Sequence, residues 1–94
     1  MSIYEKMDVI VRTHDTYIDS VNEKINTHSI STDAFRKEII KAVNAFDSEL
    51  TRQDNELQLL ATSELEEDMT SSFSYNVIEY YRDKYEKFLK YLND

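Results

Sequence analysis

Hydrophobic residues recur every three or four positions along nearly the whole chain, a spacing that places them on one face of an α-helix. Wound at about 100° per residue, the apolar positions of the first third form one narrow stripe. Ser2 followed by Glu5 is a capping-box pattern, so we predict that the first helix begins at once and covers residues 3–27. The stripe consists of Ile3, Met7, Ile10, Val11, Ile18, Val21 and Ile25.

A second stripe follows a polar turn and predicts a helix over residues 32–68, with Ser31 as its N-cap. Ser63 and Glu66 form another capping-box pattern inside this range, which allows a kink or a restart there. Because no glycine or proline is present to break a helix, we favour a continuous one. The stripe consists of Phe35, Ile39, Val43, Phe46, Leu50, Leu57 and Leu60, with Gln53 in the same line.

A third helix is predicted over residues 72–92, after a turn at residues 70–72. Its apolar arc covers roughly half of the helix circumference, compared with the roughly 100° that an ordinary surface helix buries. The predicted middle helix is also the longest of the three, so part of its apolar face would extend beyond the other two. Both features favour a homodimer or a hetero-complex over a monomer.

Together these elements predict one all-α domain over residues 1–94, an antiparallel three-helix bundle with coiled-coil character and a long middle helix. The composition agrees, since the chain has no glycine, proline, cysteine or tryptophan. Without glycine and proline it lacks the turns and phosphate-binding loops on which many active sites are built. Without cysteine it has no disulfide or thiol chemistry.

The net charge is −8, which argues against direct nucleic-acid binding, because phosphate backbones require a basic face. A basic surface on another protein is a suitable target instead.

No apolar segment approaches the roughly 20 residues that span a bilayer, and the first residues do not resemble a signal peptide. We therefore expect a cytoplasmic protein without membrane association. The abundance of Ile, Asn, Lys and Tyr is typical of AT-rich genes and favours a low-GC bacterium or one of its phages.

The sequence contains no pattern that indicates catalysis, a metal site or a cofactor site. His14 and His28 are several helical turns apart, and neither cysteine nor a metal-ligand spacing accompanies them. The serines have no nucleophile elbow, no glycine-built oxyanion hole and no nearby histidine. We therefore predict a non-enzymatic protein that uses no cofactor.

Two polar residues fall within the predicted apolar stripes, His14 in the first helix and Gln53 in the second. An imidazole in such a position could act as a pH-dependent switch of assembly, because charging a buried imidazole is costly. The alternative, which we favour, is a neutral core histidine hydrogen-bonded to Gln53 on the facing helix. Gln53 would then fix the register of the helices, as polar core residues do in coiled coils.

Two groups of residues are candidates for binding a protein partner. An acidic cluster follows the second helix stripe and suits a basic surface, while tyrosines at the margins of the third stripe suit an interface. The plain alternatives are a solvated acidic face and simple core packing. The acidic candidates are Glu64, Glu66, Glu67 and Asp68, and the aromatic and basic candidates are Tyr75, Tyr80, Lys84 and Tyr91.

We therefore predict a non-enzymatic protein-binding module, a small acidic adaptor or inhibitor that engages a protein partner through helix faces. The more specific hypothesis is a phage or mobile-element product whose partner is a basic, nucleic-acid-binding protein. The competing prediction is a self-assembling structural or scaffold coiled coil without a foreign partner. No motif in the sequence supports a resemblance to a known family.

Overall fold

The computed structural model describes residues 1–27 and 32–93, and within them it confirms the all-α fold and the three-helix bundle. The third helix is composite, because the backbone of Phe73, Ser74 and Glu79 stays right-handed helical across both of its internal boundaries. We refer to the whole composite element as the third helix. The elements are α1 (Ile3–Thr27), α2 (Asp33–Leu60), α3 (Glu64–Phe73), a π-helical segment (Ser74–Ile78) and α4 (Glu79–Asn93).

The helices form an elongated bundle of 50 × 19 × 16 Å, in which α1 and the third helix run parallel and α2 runs antiparallel to both. One face of every helix is buried in a shared core, and each fully buried aliphatic side chain contributes roughly 1.5–3 kcal/mol. The apolar stripes predicted from the sequence supply this core. Its fully buried members are Ile3, Ile10, Val21, Ile39, Val43, Leu50, Leu57, Ile78, Tyr81, Tyr85 and Leu92.

The first helix begins where the sequence predicts, and it is described as far as Thr27. The backbone N–H of Glu5 donates to Ser2 Oγ at 3.1 Å, which is the N-cap half of the predicted capping box, and the Glu5 carboxylate accepts from the Ser2 hydroxyl at 3.4 Å. Ser31, the predicted N-cap of α2, lies outside the described residues. Thr32 precedes the first residue of α2, and its side chain makes no capping hydrogen bond.

The prediction of one continuous helix over residues 32–68 is wrong. Helix α2 ends at Leu60, the backbone is extended at Ala61 and Ser63, and α3 begins at Glu64. Ser63 Oγ accepts a hydrogen bond of 3.2 Å from the N–H of Glu66. These capping contacts satisfy groups that a helix end otherwise leaves unpaired, so the chain restarts a helix here without glycine or proline.

The predicted turn at residues 70–72 is also wrong, and so is the predicted range 72–92, because the third helix runs through this region without interruption. Thr70 is fully buried inside the helix, with its hydroxyl donating to the carbonyl oxygen of Glu67 at 3.1 Å. The three helices are consequently similar in length, with 25 residues in α1, 28 in α2, and 10, 5 and 15 in the parts of the third. Within residues 1–27 and 32–93 the middle helix does not extend beyond the other two, so its length no longer favours a second chain.

The π-helical segment explains the broad apolar arc of the third helix. On a straight α-helix Thr70, which is inward before the segment, and Tyr85, which is inward after it, would lie roughly 60° apart, because 15 positions at about 100° each exceed four full turns by that angle. The extra residue in the π turn brings the two faces into line. Gln58 of α2 supports this turn, because its Nε2 donates to the Thr70 carbonyl at 3.1 Å and to Ser74 Oγ at 2.7 Å. The Ser74 hydroxyl donates in turn to the carboxylate of Asp54.

Candidate functional site

Exposed hydrophobic side chains are concentrated at one end of the bundle, where α1 begins and α2 gives way to α3. Among the described residues, seven large hydrophobic side chains are exposed, and four of them lie here: Met1 at 71%, Tyr4 at 60%, Leu59 at 84% and Leu65 at 69%. The Tyr4 hydroxyl lies 3.7 Å from the sulfur of Met69, which ties the start of α1 to α3. We call this region the junction end, and these four side chains the junction surface.

Two grooves flank the junction surface. One of about 400 Å³ is lined by Met1, Leu59 and Leu60, together with the ion pair between Lys6 and Glu56. The other, of about 470 Å³, lies between α1 and the third helix. All three methionines of the chain line these grooves, Met1 in the first and Met7 and Met69 in the second. The apolar lining of the second groove is Met7, Met69, Phe73 and Val77, with Asp68 among its polar residues.

The negative charge of the protein is concentrated at the same end. Residues 1–13 and 54–78 lie nearest the junction end, and we call this smaller part of the bundle the junction half. It carries eight carboxylates and only two basic side chains. The other half, made of residues 15–27, 32–53 and 79–93, carries ten carboxylates and nine basic side chains. The two halves therefore differ in side-chain charge, −6 against −1 at neutral pH. Sequence order hides this asymmetry, because the folded bundle brings together segments that are far apart along the chain.

The predicted acidic cluster opens α3, and its members have different roles. Glu64, Glu66 and Glu67 occupy the first turn, where the helix dipole favours negative charge. Glu66 stabilises the start of α3, because its carboxylate accepts 2.9 Å hydrogen bonds from the N–H and the hydroxyl of Thr62. These hydrogen bonds lower the pKa of Glu66. Glu64, Glu67 and Asp68 are exposed, and within the described residues their carboxylates have no hydrogen bond or ion pair. Three of the four predicted acidic residues are thus free to meet a partner.

The predicted aromatic group is divided between two faces. Tyr80, Lys84 and Tyr91 share one outward stripe of α4, and the Lys84 ammonium lies 5.4 Å from the centre of the Tyr80 ring, a cation–π distance. Tyr75 is on the π-helical segment instead, beside a shallow groove that Asp54 also lines. The structure therefore brings three of these four residues together and separates the fourth.

A closed polar layer crosses the middle of the bundle at His14. This side chain is fully buried, with Nε2 placed 2.7 Å from Gln53 Oε1 and Nδ1 placed 2.6 Å from the Tyr85 hydroxyl. The contact with Gln53 that the sequence predicts is present, whereas Tyr85 is a second partner that we did not anticipate. Because the Gln53 carbonyl oxygen can only accept, Nε2 carries the proton and Nδ1 accepts from Tyr85. Both nitrogens of a neutral imidazole are thereby satisfied.

Aromatic rings and further hydrogen bonds enclose this layer. The rings of Tyr17 and Tyr81 have their centres 5.3 and 5.6 Å from that of His14. The Tyr81 hydroxyl donates to the carboxylate of Asp15 at 2.7 Å, which links α4 to α1. Burial raises the pKa of Tyr85, and burial together with Asp15 raises that of Tyr81, so both hydroxyls stay protonated at neutral pH.

Burial is also the main influence on His14, and it lowers the pKa of the imidazole. The hydrogen bond to Gln53 and the more distant carboxylates of Glu49, Asp47 and Asp15 act in the opposite direction with smaller effect. The layer is therefore neutral near pH 7. An imidazole without exposed surface and with both nitrogens bonded is placed to hold three helices in register rather than to contact a substrate.

Within the described residues, no group of His, Cys, Asp or Glu side chains is arranged to hold a metal ion. A search of the same residues finds no helix with the length and apolar character required to cross a membrane. Neither a protein-family model, nor a curated protein, nor a solved structure matches this chain.

The junction surface was not predicted from the sequence. Leu59 stands between the inward residues Leu57 and Leu60, so its outward position follows from the helical repeat and could have been noticed. The exposure of Leu65 was missed because the predicted middle helix includes this residue. Met1 and Tyr4 could be assigned to this surface only from the fold, which brings them to the same end of the bundle as the two leucines.

Proposed function

We propose that this chain is a non-enzymatic protein-binding module, an adaptor or inhibitor that engages a protein partner through the junction surface. The observation that carries this proposal is the exposure of four large hydrophobic side chains at one end of the described bundle. Single exposed hydrophobic residues are ordinary, but a group of them beside apolar grooves is typical of an interaction site. The stripe of Tyr80, Lys84 and Tyr91 is a second, smaller face available to a partner.

The charge distribution favours a foreign partner over a second copy of the same chain. Two copies that met junction end to junction end would bring two net charges of −6 against each other. A basic protein would be attracted by the same field. This supports the binding module over the self-assembling structural protein, and it agrees with the hypothesis that the target is a nucleic-acid-binding protein.

Capture of the partner by surface variants tests the proposal. Tagged wild-type protein is used to isolate partners, with nuclease present, from cells of the organism that encodes it. The variant Leu59→Gln/Leu65→Gln is expected to lose a stoichiometric protein partner. The matched control Tyr80→Gln/Tyr91→Gln, which alters the same number of exposed hydrophobic side chains elsewhere, is expected to retain it.

Two results would contradict the proposal. A partner that is captured equally well by the leucine variant does not use the junction surface. Recovery of nothing but copies of the chain itself, as an oligomer of constant mass in light scattering at all concentrations, would establish the self-assembling structural protein instead.

A further inference from the structure

We infer that the occupant of the junction surface is a basic amphipathic helix of the partner protein. Its apolar face would cover Leu59 and Leu65 and fill the two methionine-lined grooves, while its Lys and Arg side chains would reach Glu64, Glu67 and Asp68. This inference rests on the proposed function and adds to it the chemistry and the secondary structure of the segment that binds.

The lining of the grooves suits the apolar face of a helix. All three methionines of the protein are found there, and methionine is unbranched, flexible and polarizable, so it adapts to side chains of different shapes. Tyr4 lies between Met1 and Met7 along the chain and contacts the sulfur of Met69. Methionine-rich apolar surfaces of this kind are used by proteins that bind amphipathic helices.

The charges around the grooves select a basic partner. Both basic side chains of this half are already engaged, Lys6 with Glu56, and Arg12 with Asp8 at 2.7 Å. The carboxylates that stay unpaired are the exposed ones at the start of α3, and Asp68 also lines the second groove. An acidic segment would be repelled at this end, whereas each Lys or Arg of a basic segment would find a carboxylate within reach.

The shape of the junction end favours a helix over an extended strand. The described residues contain no β-strand, so they present no sheet edge to which a peptide could add a strand. Grooves between helices accept side chains at i, i+3, i+4 and i+7 of a second helix. The bundle is 19 × 16 Å across, a distance that a helix of about 11–13 residues spans at 1.5 Å per residue. Three helical turns are therefore sufficient to cross the surface.

Three synthetic 18-residue peptides test the inference by fluorescence anisotropy. The first has a leucine face and a lysine face at helical spacing, the second has the same leucine face with glutamate in place of lysine, and the third is a scrambled form of the first. We expect the first to bind at least about tenfold more tightly than either of the others, because only it matches both the apolar grooves and the charge. Its affinity should fall as salt is raised.

Protein variants separate the apolar contribution from the charge contribution. Leu59→Gln/Leu65→Gln should weaken binding of the first peptide about tenfold or more. Glu67→Gln/Asp68→Asn should weaken it about three- to tenfold and reduce its salt dependence. Asp19→Asn/Glu23→Gln, which removes the same charge from α1 outside the junction half, should change the affinity less than about twofold. Circular dichroism of each variant confirms that the helices are intact.

Equal binding of the lysine and glutamate peptides would overturn the inference, as would equal binding of the scrambled peptide or an equal loss in the Asp19/Glu23 control. None of these outcomes would affect the proposed function, which depends on whether the natural partner requires Leu59 and Leu65. If that partner ignores both leucines, the proposed function itself fails.

Discussion

The layer around His14 and the junction end are opposite in arrangement: the layer buries polar groups, and the junction end exposes apolar ones. In the layer, an imidazole, an amide and two phenol hydroxyls are enclosed in the core, and every one of them has a hydrogen-bond partner. At the junction end, leucine and methionine side chains face solvent, and carboxylates stand beside them unpaired. One region is complete in itself, whereas the other is the surface that we propose for a partner.

This contrast separates the residues that hold the fold from those that we assign to binding. A buried polar group destabilises a protein unless it is hydrogen-bonded, so a polar layer persists only with its partners in place. An exposed leucine contributes little to folding. Substitutions in the layer should therefore change the free energy of unfolding, and substitutions at the junction end should change binding alone.

The largest effect is expected from His14→Ala, which leaves a cavity and removes the hydrogen-bond partner of Gln53 and of Tyr85. We expect a loss of roughly 3 kcal/mol in the free energy of unfolding, measured by urea denaturation at pH 7.5. Tyr85→Phe removes one hydrogen bond and keeps the ring, so about 1–2 kcal/mol is expected for it. A loss below about 1 kcal/mol for His14→Ala would show that the layer is not a cooperative unit.

The second effect is a dependence of stability on pH. The pKa of His14 in the folded protein is lowered from 6.5, so below pH 6.5 the unfolded chain binds a proton that the folded chain does not. The free energy of unfolding should therefore decrease as pH falls below 6.5, by at most about 1.4 kcal/mol per pH unit, and level off below the pKa of folded His14. Stability is retained above pH 6.5. The lowered pKa values of Glu66, Glu56 and Glu49 act mainly below pH 4.5, outside this window.

Urea denaturation at pH 7.5, 6.5 and 5.5 measures this dependence. His14→Gln should abolish the slope between pH 6.5 and 5.5, whereas His28→Gln, which alters the other histidine of the sequence, should keep it. A slope that survives in His14→Gln would assign the pH dependence to other groups.

The smallest effect on stability is expected at the junction end. Leu59→Gln/Leu65→Gln should change the free energy of unfolding by less than about 0.5 kcal/mol, because both side chains are exposed in the folded protein. The measurement is urea denaturation in parallel with the His14 variants. A loss well above about 0.5 kcal/mol in the free energy of unfolding would contradict this prediction, because it would show that these leucines stabilise the fold.

The sequence was sufficient for the parts of the fold that depend on local pattern. Helix α1 begins at the predicted residue, and the pairing of His14 with Gln53 follows from two polar residues in facing apolar stripes. The break after Leu60 could have been recognised from the same pattern. A continuous helix would have carried Glu64 and Glu67 onto the buried face, since they follow Leu60 by four and seven positions. The prediction of a continuous helix rests on the absence of glycine and proline, which does not prevent a break.

The remaining features depend on tertiary contacts, and the sequence holds only partial signs of them: the broad apolar arc of the third helix for the π turn, and the helical repeat for the outward position of Leu59. The π turn is held by Gln58, a residue of a different helix. The junction surface exists because the chain folds back between Leu59 and Leu65, which brings the end of α2 and the start of α3 to the start of α1. The stripe of Tyr80, Lys84 and Tyr91 was within reach of sequence reasoning because all three residues belong to one helix.

The π-helical segment also bears on how this chain could change during evolution. A π turn is what a single-residue insertion produces in an α-helix when the turns on either side keep their contacts. Deleting one codon within Ser74–Ile78 would restore a straight helix and rotate all of α4 by about 100° relative to α3. Tyr85 would then move away from His14, although Tyr85 lies about two to three helical turns beyond the deletion. The length of the third helix is therefore under stronger constraint than the identity of its exposed residues.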